Sequence, residues 1–451
     1  MTRYLIIGAG VAGISAAEAI RSVDQSGDIT LLYDDADGYY SRPGLAYYLT
    51  NEVPEKQLYA FQEDDFHRLR LQRLHASVRR IRPSEHKIEL NDGRLLPYDR
   101  LLIATGAAAT PARAPGVELQ GVVKLDSLED ARRILKLTRK AHSAVVVGGG
   151  ITALELVEAL RAQRVQVHYF LRGDRYWANV LDETESRIVE HRLKEEGVQI
   201  HYQTELAEIN GKNGQATGVR TVDNRQLRCE IVAVAIGVQP RKALAEASGL
   251  KVDRGVWVDE FLRTRTAGGG ALPGGEALPD VYAAGDVAQV YDPLAGKAVI
   301  DSLWGPARQQ GYTAGLNMSG QTRAYRKSAP FNVTRLAGLT TTIIGAVGGR
   351  ETDADLLEVA RGESETWRQI PDAIAAQADF DVNRLRVLVG KQNLVGAIVM
   401  GDQTLSQAVH HLVAEQADIT PIREQLIHPN RPLGDILAGF WADWRQQHGA
   451  K

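Results

Sequence analysis

Two glycine clusters carry the first recognisable chemistry in this chain. Gly8-Ala9-Gly10-Val11-Ala12-Gly13 follows the apolar run Tyr4 to Ile7, and Gly148-Gly149-Gly150-Ile151-Thr152-Ala153 follows Ala144 to Val147. Each reads as a strand, a tight turn and the start of a helix. That arrangement lets backbone approach a pyrophosphate while the helix N-terminus supplies N–H donors. Gly8 turns the chain, Gly10 keeps the approach open, and Gly13 lets helix and strand pack closely, with Val11 and Ala12 at the donor end. A second apolar run, Ile29 to Tyr33, ends in Asp34 and Asp35, and Asp34 is placed to accept from ribose hydroxyls. Gly148 and Gly150 repeat these roles, Ile151 and Thr152 complete the phosphate turn ahead of a helix expected from Leu154 to Ala162, and Ala153 takes the third glycine's place, which the motif permits. One phosphate motif is a weak signal. Its return with the same internal spacing marks a repeat, and hence two dinucleotide sites in one chain.

The elements that must position these turns can be read in order. Between the two units, Tyr39-Tyr40-Ser41-Arg42-Pro43-Gly44 is a turn running into a helix, with tyrosines expected to pack at a domain surface. Arg68 to Arg82 alternates basic residues with Leu and His in a helix-like pattern, predicting a solvated helix face. Residues 98 to 106 form a buried strand stopping at Ala104-Thr105-Gly106, and Pro111, Pro115 and Gly116 mark a linker. After the second turn come a strand from Val165 to Leu171 and another from Ile231 to Ile236, ending at Gly237. Ala267 to Glu276, rich in Gly, Ala and Pro, reads as a flexible loop. It leads into a short strand that ends at Gly285 and Asp286. Trp304-Gly305-Pro306 then opens a helix reaching about Met318, with proline suited to its first turn.

From Arg326 the texture changes to short strands around Thr341 to Val347, a hairpin of Leu385 to Val389 with Leu394 to Met400, and a helix across Leu405 to Ala414. Leu437, Phe440, Trp441 and Trp444 fall on one face of a last helix, expected to pack on the chain's own core.

Composition sets outer bounds. The 451 residues are enough for about three domains. A net charge of -3 with 24% charged residues gives no basic track for nucleic acid. No apolar run approaches a membrane span, and the first strand begins at once without a signal peptide, so a cytoplasmic location is expected. The single cysteine excludes an internal disulfide and an all-cysteine iron-sulfur ligand set, and no metal site is expected.

The order GAGVAG, ATG at 104 to 106, VVGGGITALE and AAGD at 283 to 286 resembles the FAD-dependent pyridine nucleotide-disulfide oxidoreductase superfamily across residues 1 to about 320. YYSRPGLAYYL, LWGPARQQGYTAGLNMSG and VGAIVMGD are similar to its branch of rubredoxin and ferredoxin reductases and nitrite reductase flavin portions. The resemblance implies an α/β fold of two Rossmann-like domains, one inserted in the other, plus a C-terminal α+β domain. Residues 1–112 with 245–325 would hold FAD, 113–244 would hold NAD(P)H, and 326–451 would form the last domain. It implies FAD contacts from Gly8, Gly10, Val11, Ala12, Gly13, Asp34 or Asp35, Arg42, Pro43, Ala104, Thr105, Gly106, Gly285, Asp286 and Trp304. Asp286 would accept from the ribityl chain, and the helix opening at Trp304 would aim its N-terminus at the flavin N1 and C2 carbonyl, favouring the anionic reduced ring. Gly148, Gly150, Ile151, Thr152, Arg172, Arg175 and Gly237 would bind the nicotinamide coenzyme. Arg42 would flank the isoalloxazine and Glu155 would stand where nicotinamide arrives, both by positioning, since hydride passes directly to flavin.

Departures from the family's pattern narrow the expected chemistry. Pro43 stands where oxidase and coenzyme A disulfide branches need a cysteine, and Tyr47 where ferredoxin reductases often carry lysine. The one thiol, Cys229, precedes a buried strand and is expected to be structural. Electrons would therefore leave through flavin to an electron-carrier protein or an iron-sulfur partner subunit. The alternatives are an NAD(P)H oxidase or small-acceptor reductase, and a flavin-containing sensing or scaffold subunit of a larger complex. A homodimer through the last domain is a family-level expectation. Leu171 occupies the place of the acid that NAD-specific folds use for the 2'-hydroxyl, and Arg172 follows where NADPH-dependent relatives carry a phosphate-binding Arg. NADPH is therefore the expected coenzyme.

Overall fold

A computed structural model describes residues 1–268, 275–293, 296–347, 357–362, 383–428 and 432–449. The chain divides into two compact units, one of Met1–Arg172 with Thr204–Lys327 and one of Gly173–Gln203 with Ser328–Lys451.

The first unit opens with β1 (Arg3–Ile7), α1 (Val11–Val23) and β2 (Asp28–Tyr33), followed by α2 (Gly44–Leu49), α3 (Glu63–Leu69), β3 (Leu71–His75), β4 (Val78–Arg82) and β5 (Arg100–Ile103). β1 pairs in parallel with β2 on one side and β5 on the other, in register Tyr4↔Ile29 and Tyr4↔Arg100. A parallel strand flanked in this way is covered on both faces, which is why Tyr4 to Ile7 are all apolar and all buried.

The helix expected over Arg68 to Arg82 is not formed. Arg70 adopts a left-handed backbone at φ 49° and ends α3. The following residues extend instead: β3 continues the sheet beside β2 in register Ile29↔Leu71. β4 forms a hairpin with Lys87–Leu90, where Arg79 and Arg82 pair with Glu89. An apolar residue every second or third place serves a half-buried strand as well as a helix, and here pairing with β2 decides.

The second nucleotide unit supplies α4 (Leu128–Thr138), β6 (Ser143–Val147), α5 (Ile151–Ala162), β7 (Gln166–Phe170) and β8 (Ile231–Val234). β6 lies between β7 and β8, all parallel, and Val122–Val123 pairs beyond β8. The chain then returns through β9 (Ala277–Ala283), a hairpin of β10 (Ala288–Asp292) with β11 (Lys297–Ile300), and α6 (Trp304–Met318). β9 pairs in parallel with β5, so the first sheet runs Arg263–Arg265, β9, β5, β1, β2, β3. The strand that completes it comes after the whole second sheet, and one nucleotide fold is thereby inserted in the other. Of the expected loop from Ala267 to Glu276, residues 269–274 lie outside those described.

α6 packs along α1 at close range. A Cβ on Gly311 would stand 2.1 Å from the Ala12 carbonyl oxygen, and one on Gly315 would stand 2.4 Å from that of Ala16. Only glycine permits this approach, and it fixes α6 over the start of α1.

In the second unit, β12 (Phe331–Leu336), β13 (Leu339–Gly345), β14 (Arg384–Val389) and β15 (Leu394–Met400) form an antiparallel sheet in the order β12, β13, β15, β14, Leu357–Gly362. α7 (Ser406–Ala414) and α8 (Leu433–His448) pack with it around Ile344, Val387, Leu412 and Leu437. Phe440, Trp441 and Trp444 rest against this core, as expected of the terminal stripe. The helix Glu183–Glu195 joins this unit through a buried ion pair, Arg386 to Glu185 at 2.9 Å, and a part-buried one, Arg384 to Asp182 at 2.5 Å. Among the described residues no helix is long and apolar enough to cross a membrane.

Candidate functional site

The glycines of the two turns fall into two kinds. A Cβ on Gly8, at φ +116°, would stand 2.1 Å from the Ala104 carbonyl oxygen, and one on Gly13 would stand 2.0 Å from that of Gly8. A Cβ on Gly10 would meet nothing within 4 Å. Gly8 and Gly13 are thus required by the protein itself, and Gly10 leaves an open approach for a ligand. The second turn repeats the pattern: Gly148, at φ +146°, is closed by the Ala235 carbonyl oxygen at 2.1 Å, while Gly149 and Gly150 are open.

The helices at these turns also begin without a side-chain cap. α4 begins on Ser127 and the helix Glu183–Glu195 on Asp182, both with reciprocal capping boxes. α1, α5 and α6 begin on Gly10, Gly150 and Leu303 without a side-chain cap. First-turn N–H groups left unclaimed are suited to phosphate or another anion. Val11 and Ala12 of α1 and Ile151 and Thr152 of α5 supply those donors. These open glycines and uncapped helices fit a dinucleotide at each turn.

At the end of β2 the two aspartates differ. The Asp35 carboxylate accepts from the Tyr40 hydroxyl at 2.9 Å and from the Arg42 guanidinium at 3.3 Å, whereas Asp34 is exposed. A cavity of about 270 Å³ opens beside the first turn, lined by Ala9, Tyr33, Tyr39, Phe61 and Phe66 among others.

Arg42 stands at the junction of the two nucleotide units. It also donates to the Asp126 carbonyl oxygen, lies 5.1 Å from the Tyr40 ring centre, and only partly offsets the burial and Asp301 charge that raise the Asp286 carboxyl. Asp126 in turn accepts from Arg241 at 3.0 Å and Lys124 at 3.1 Å. Pro43 begins α2, which packs against α5, and Glu155 lies in the first turns of α5. Ala104, Thr105 and Gly106 end β5 at the crossing between the units, where Ala107–Ala109 pairs antiparallel with Val238–Pro240. Gly106 and Gly237 take φ of +69° and +108° at the two chain crossings, and the Thr105 hydroxyl donates to the Arg241 carbonyl at 3.0 Å.

Asp286 follows Gly285 at the end of β9, below the start of α6. Burial and the neighbouring Asp301 push its carboxyl up to about 6. The Gly285 N–H donates to the buried Gln310 side chain at 2.9 Å, which ties this turn to α6. Trp304 opens α6 and is 49% exposed. Leu171 is buried behind the second nucleotide sheet and Arg172 is exposed beyond it; Arg175 belongs to the second unit and pairs with Asp174 at 3.3 Å. Cys229 is buried, its thiol pushed up to about 12 by desolvation, so no thiolate is present near neutral pH.

Sequence reasoning missed the polar lock around Arg42. The Leu128 N–H donates to the Tyr40 hydroxyl at 3.0 Å, and Arg132 pairs with Asp37 at 2.8 Å and Glu55 at 2.6 Å, tying α4 to the loop after β2. The tyrosine-rich run was a signal that this loop packs, but nothing in it names the partners.

Comparison with known proteins agrees with this geometry. The family model described as pyridine nucleotide-disulphide oxidoreductase matches residues 2–311. Rhodocoxin reductase of Rhodococcus erythropolis is 35% identical over 263 residues, 58% of this chain and 61% of that relative. The ferredoxin–NAD(+) reductase component of a biphenyl dioxygenase system from Paraburkholderia xenovorans is 30% identical over 373 residues, 81% of this chain and 85% of the relative. The structure of an NAD-dependent persulfide reductase from A. fulgidus superposes with a TM-score of 0.82 at 25% identity, covering 99% of this chain and 84% of that one. The chain therefore belongs to the pyridine nucleotide-disulphide oxidoreductase family, in its ferredoxin and rubredoxin reductase-like branch, and is an FAD-dependent NAD(P)H oxidoreductase.

Proposed function

We propose that the chain passes electrons from NADPH through FAD to a protein electron carrier or an iron-sulfur partner subunit, with no thiol relay. The observation that carries this reading is the pairing of two open phosphate turns in one unit with a single cysteine that is buried and unreactive. Relatives whose names include ferredoxin and rubredoxin reductase support a small redox protein as acceptor.

Bound FAD supplies the chemistry of taking a hydride and releasing its electrons one at a time. The protein's part is placement and field. In this reading residues 1–112 and 245–325 hold FAD, 113–244 hold the coenzyme, and 326–451 form the last domain. Gly10, Val11 and Ala12 receive the FAD pyrophosphate. Asp34 takes the ribose, because Asp35 already serves Tyr40 and Arg42. Asp286 orients the ribityl chain, and the uncapped start of α6 favours negative charge on the ring. Ile151 and Thr152 receive the coenzyme pyrophosphate. Arg42, Pro43 and Glu155 frame the place where the two rings meet. Arg172, with no carboxylate at Leu171 to oppose it, supports NADPH over NADH. Such an enzyme draws on the cytoplasmic coenzyme pool, which supports that location, and a homodimer through the last domain is retained from the family.

An exposed stripe on α6 supports a docked acceptor. Trp304, Arg308 and Tyr312, one turn apart, all face solvent, with the two aromatics 49% and 40% exposed. Steady-state turnover decides the acceptor. Rapid reduction of ferredoxin or rubredoxin with slow oxygen consumption is expected; fast oxygen consumption with no carrier reduction would assign the oxidase reading.

A further inference from the structure

Behind Asp286 lies a buried charge cluster that the flavin reading does not use. The hairpin β10–β11 pairs Gln289 with Ile300, which brings the chain entering at Asp286 back beside the chain leaving at Asp301. Asp301 then leads directly into α6. The Lys327 ammonium sits 3.4 Å from the Asp301 carboxylate and 3.4 Å from that of Asp292, and the Lys327 side chain is only 4% exposed. Tyr325, two residues earlier, is half-buried, and desolvation with the charges of Asp301 and Asp292 pushes its hydroxyl up to about 12.

Three carboxylates are therefore linked in series, Asp301 acting on Asp286 and Asp292 acting on Asp301. Two cations act on them: Arg42 on Asp286 from the junction side, and Lys327 on Asp301 from within. A buried carboxylate without its counter-ion is strongly unfavourable and either takes up a proton or repels nearby negative charge. Here the nearby negative charge would be that of the reduced flavin. The uncapped start of α6 works in the opposite direction, and Lys327 keeps Asp301, at the foot of that helix, from cancelling it.

We propose that Lys327 is a positioning residue of the flavin site, its buried ammonium offsetting Asp292 and Asp301 and so limiting the negative charge that flavin meets on reduction. The proposal rests on the reading of Asp286 as a flavin contact. It acts through carboxylates and not by touching the ring, so its signature is a potential and not only a rate.

The test is spectroelectrochemical titration of FAD-loaded wild type, K327Q, K327R, D301N and the K327Q/D301N pair, with the affinity of each flavin-free form for FAD measured alongside. K327Q is expected to shift the bound flavin to more negative potential and to weaken FAD binding, and K327R to stay near wild type. D301N should shift the potential positively, and adding it to K327Q should bring the value back towards wild type. Should K327Q not fold, D301N decides alone, since it leaves Lys327 paired with Asp292. Flavin-loaded K327Q and D301N with wild-type potentials would overturn the role of Lys327 and leave the FAD reading standing. Wild-type protein that takes up no FAD on reconstitution would overturn the FAD reading itself, and this proposal with it.

Discussion

The two glycine turns share a plan but differ in how they are enclosed. At the first, Ala9 is buried, the third position must be glycine because a Cβ there would strike the Gly8 carbonyl at 2.0 Å, and α6 lies over the helix it opens. Gly285 comes in from the other side, its missing Cβ only 3.0 Å from that of Ala12. At the second turn Gly149 is exposed and Ala153 suffices at the third position, while Gly150 is open there just as Gly10 is at the first. A nucleotide at the first turn would be held beneath protein, and one at the second would be free to exchange. That is the difference between a resident cofactor and a coenzyme consumed on each turnover.

Bulky substitutions at the open glycines should have the largest effects. Gly10→Leu should yield folded protein nearly devoid of FAD, because a Cβ there meets no protein atom and clashes only with the incoming pyrophosphate. Gly150→Leu should keep its FAD and lose reduction by either coenzyme. Absorbance after gel filtration and circular dichroism read both; full flavin content in Gly10→Leu would remove the assignment of the first turn.

A smaller effect is expected at the rim of the second turn. Replacing Arg172 with Gln should cost NADPH about tenfold to a hundredfold in kcat/KM, the worth of roughly 1.5 to 3 kcal/mol for a charge-assisted contact, and leave NADH unchanged. Leu171→Glu is a poor companion variant, because that side chain is 1% exposed and a carboxylate there would be buried. Wild-type preference for NADH, with no change in Arg172→Gln, contradicts the NADPH reading.

The first site's enclosure should also appear as a pH dependence. With its folded pKa pushed up to about 6, above the ordinary carboxylate value near 4, Asp286 keeps a proton in folded protein that the unfolded chain has released. Its contribution to stability is therefore present in acid and lost as pH rises through that window. The thermal midpoint of flavin-free protein should fall less from pH 4 to pH 6 in Asp286→Asn than in wild type. Equal slopes would show that Asp286 is solvated.

The smallest effect is expected at Cys229. Cys229→Ser, in a variant that stays folded, should keep near-normal turnover with artificial acceptors, since the thiol is buried and pushed up to about 12. Loss of turnover with flavin reduction preserved would reveal a thiol relay.

These contrasts also show what was legible in the sequence. Both turns, the strands feeding them and the helix from Trp304 to Met318 could be read, because glycine spacing and apolar runs are local signals. The strands at Leu71–His75 and Val78–Arg82 could not, since a left-handed Arg70 and pairing with β2 for the first and with Lys87–Leu90 for the second override a helix-like pattern. The lock around Arg42 was beyond reach as well: its Asp126 partner is 84 residues away, and a side chain's partner at that distance leaves no periodicity. Lys327 was hidden for the same reason, its carboxylates being ordinary aspartates until the hairpin folds.

In the proposed function electrons enter at the second turn and leave from a flavin held at the first. Anaerobic titration of the FAD-loaded chain with NADPH, followed by oxidised ferredoxin or rubredoxin, tests it in one cuvette. Flavin absorbance is expected to bleach on the first addition and return on the second as the carrier is reduced. Flavin that stays oxidised under excess NADPH and NADH would contradict it.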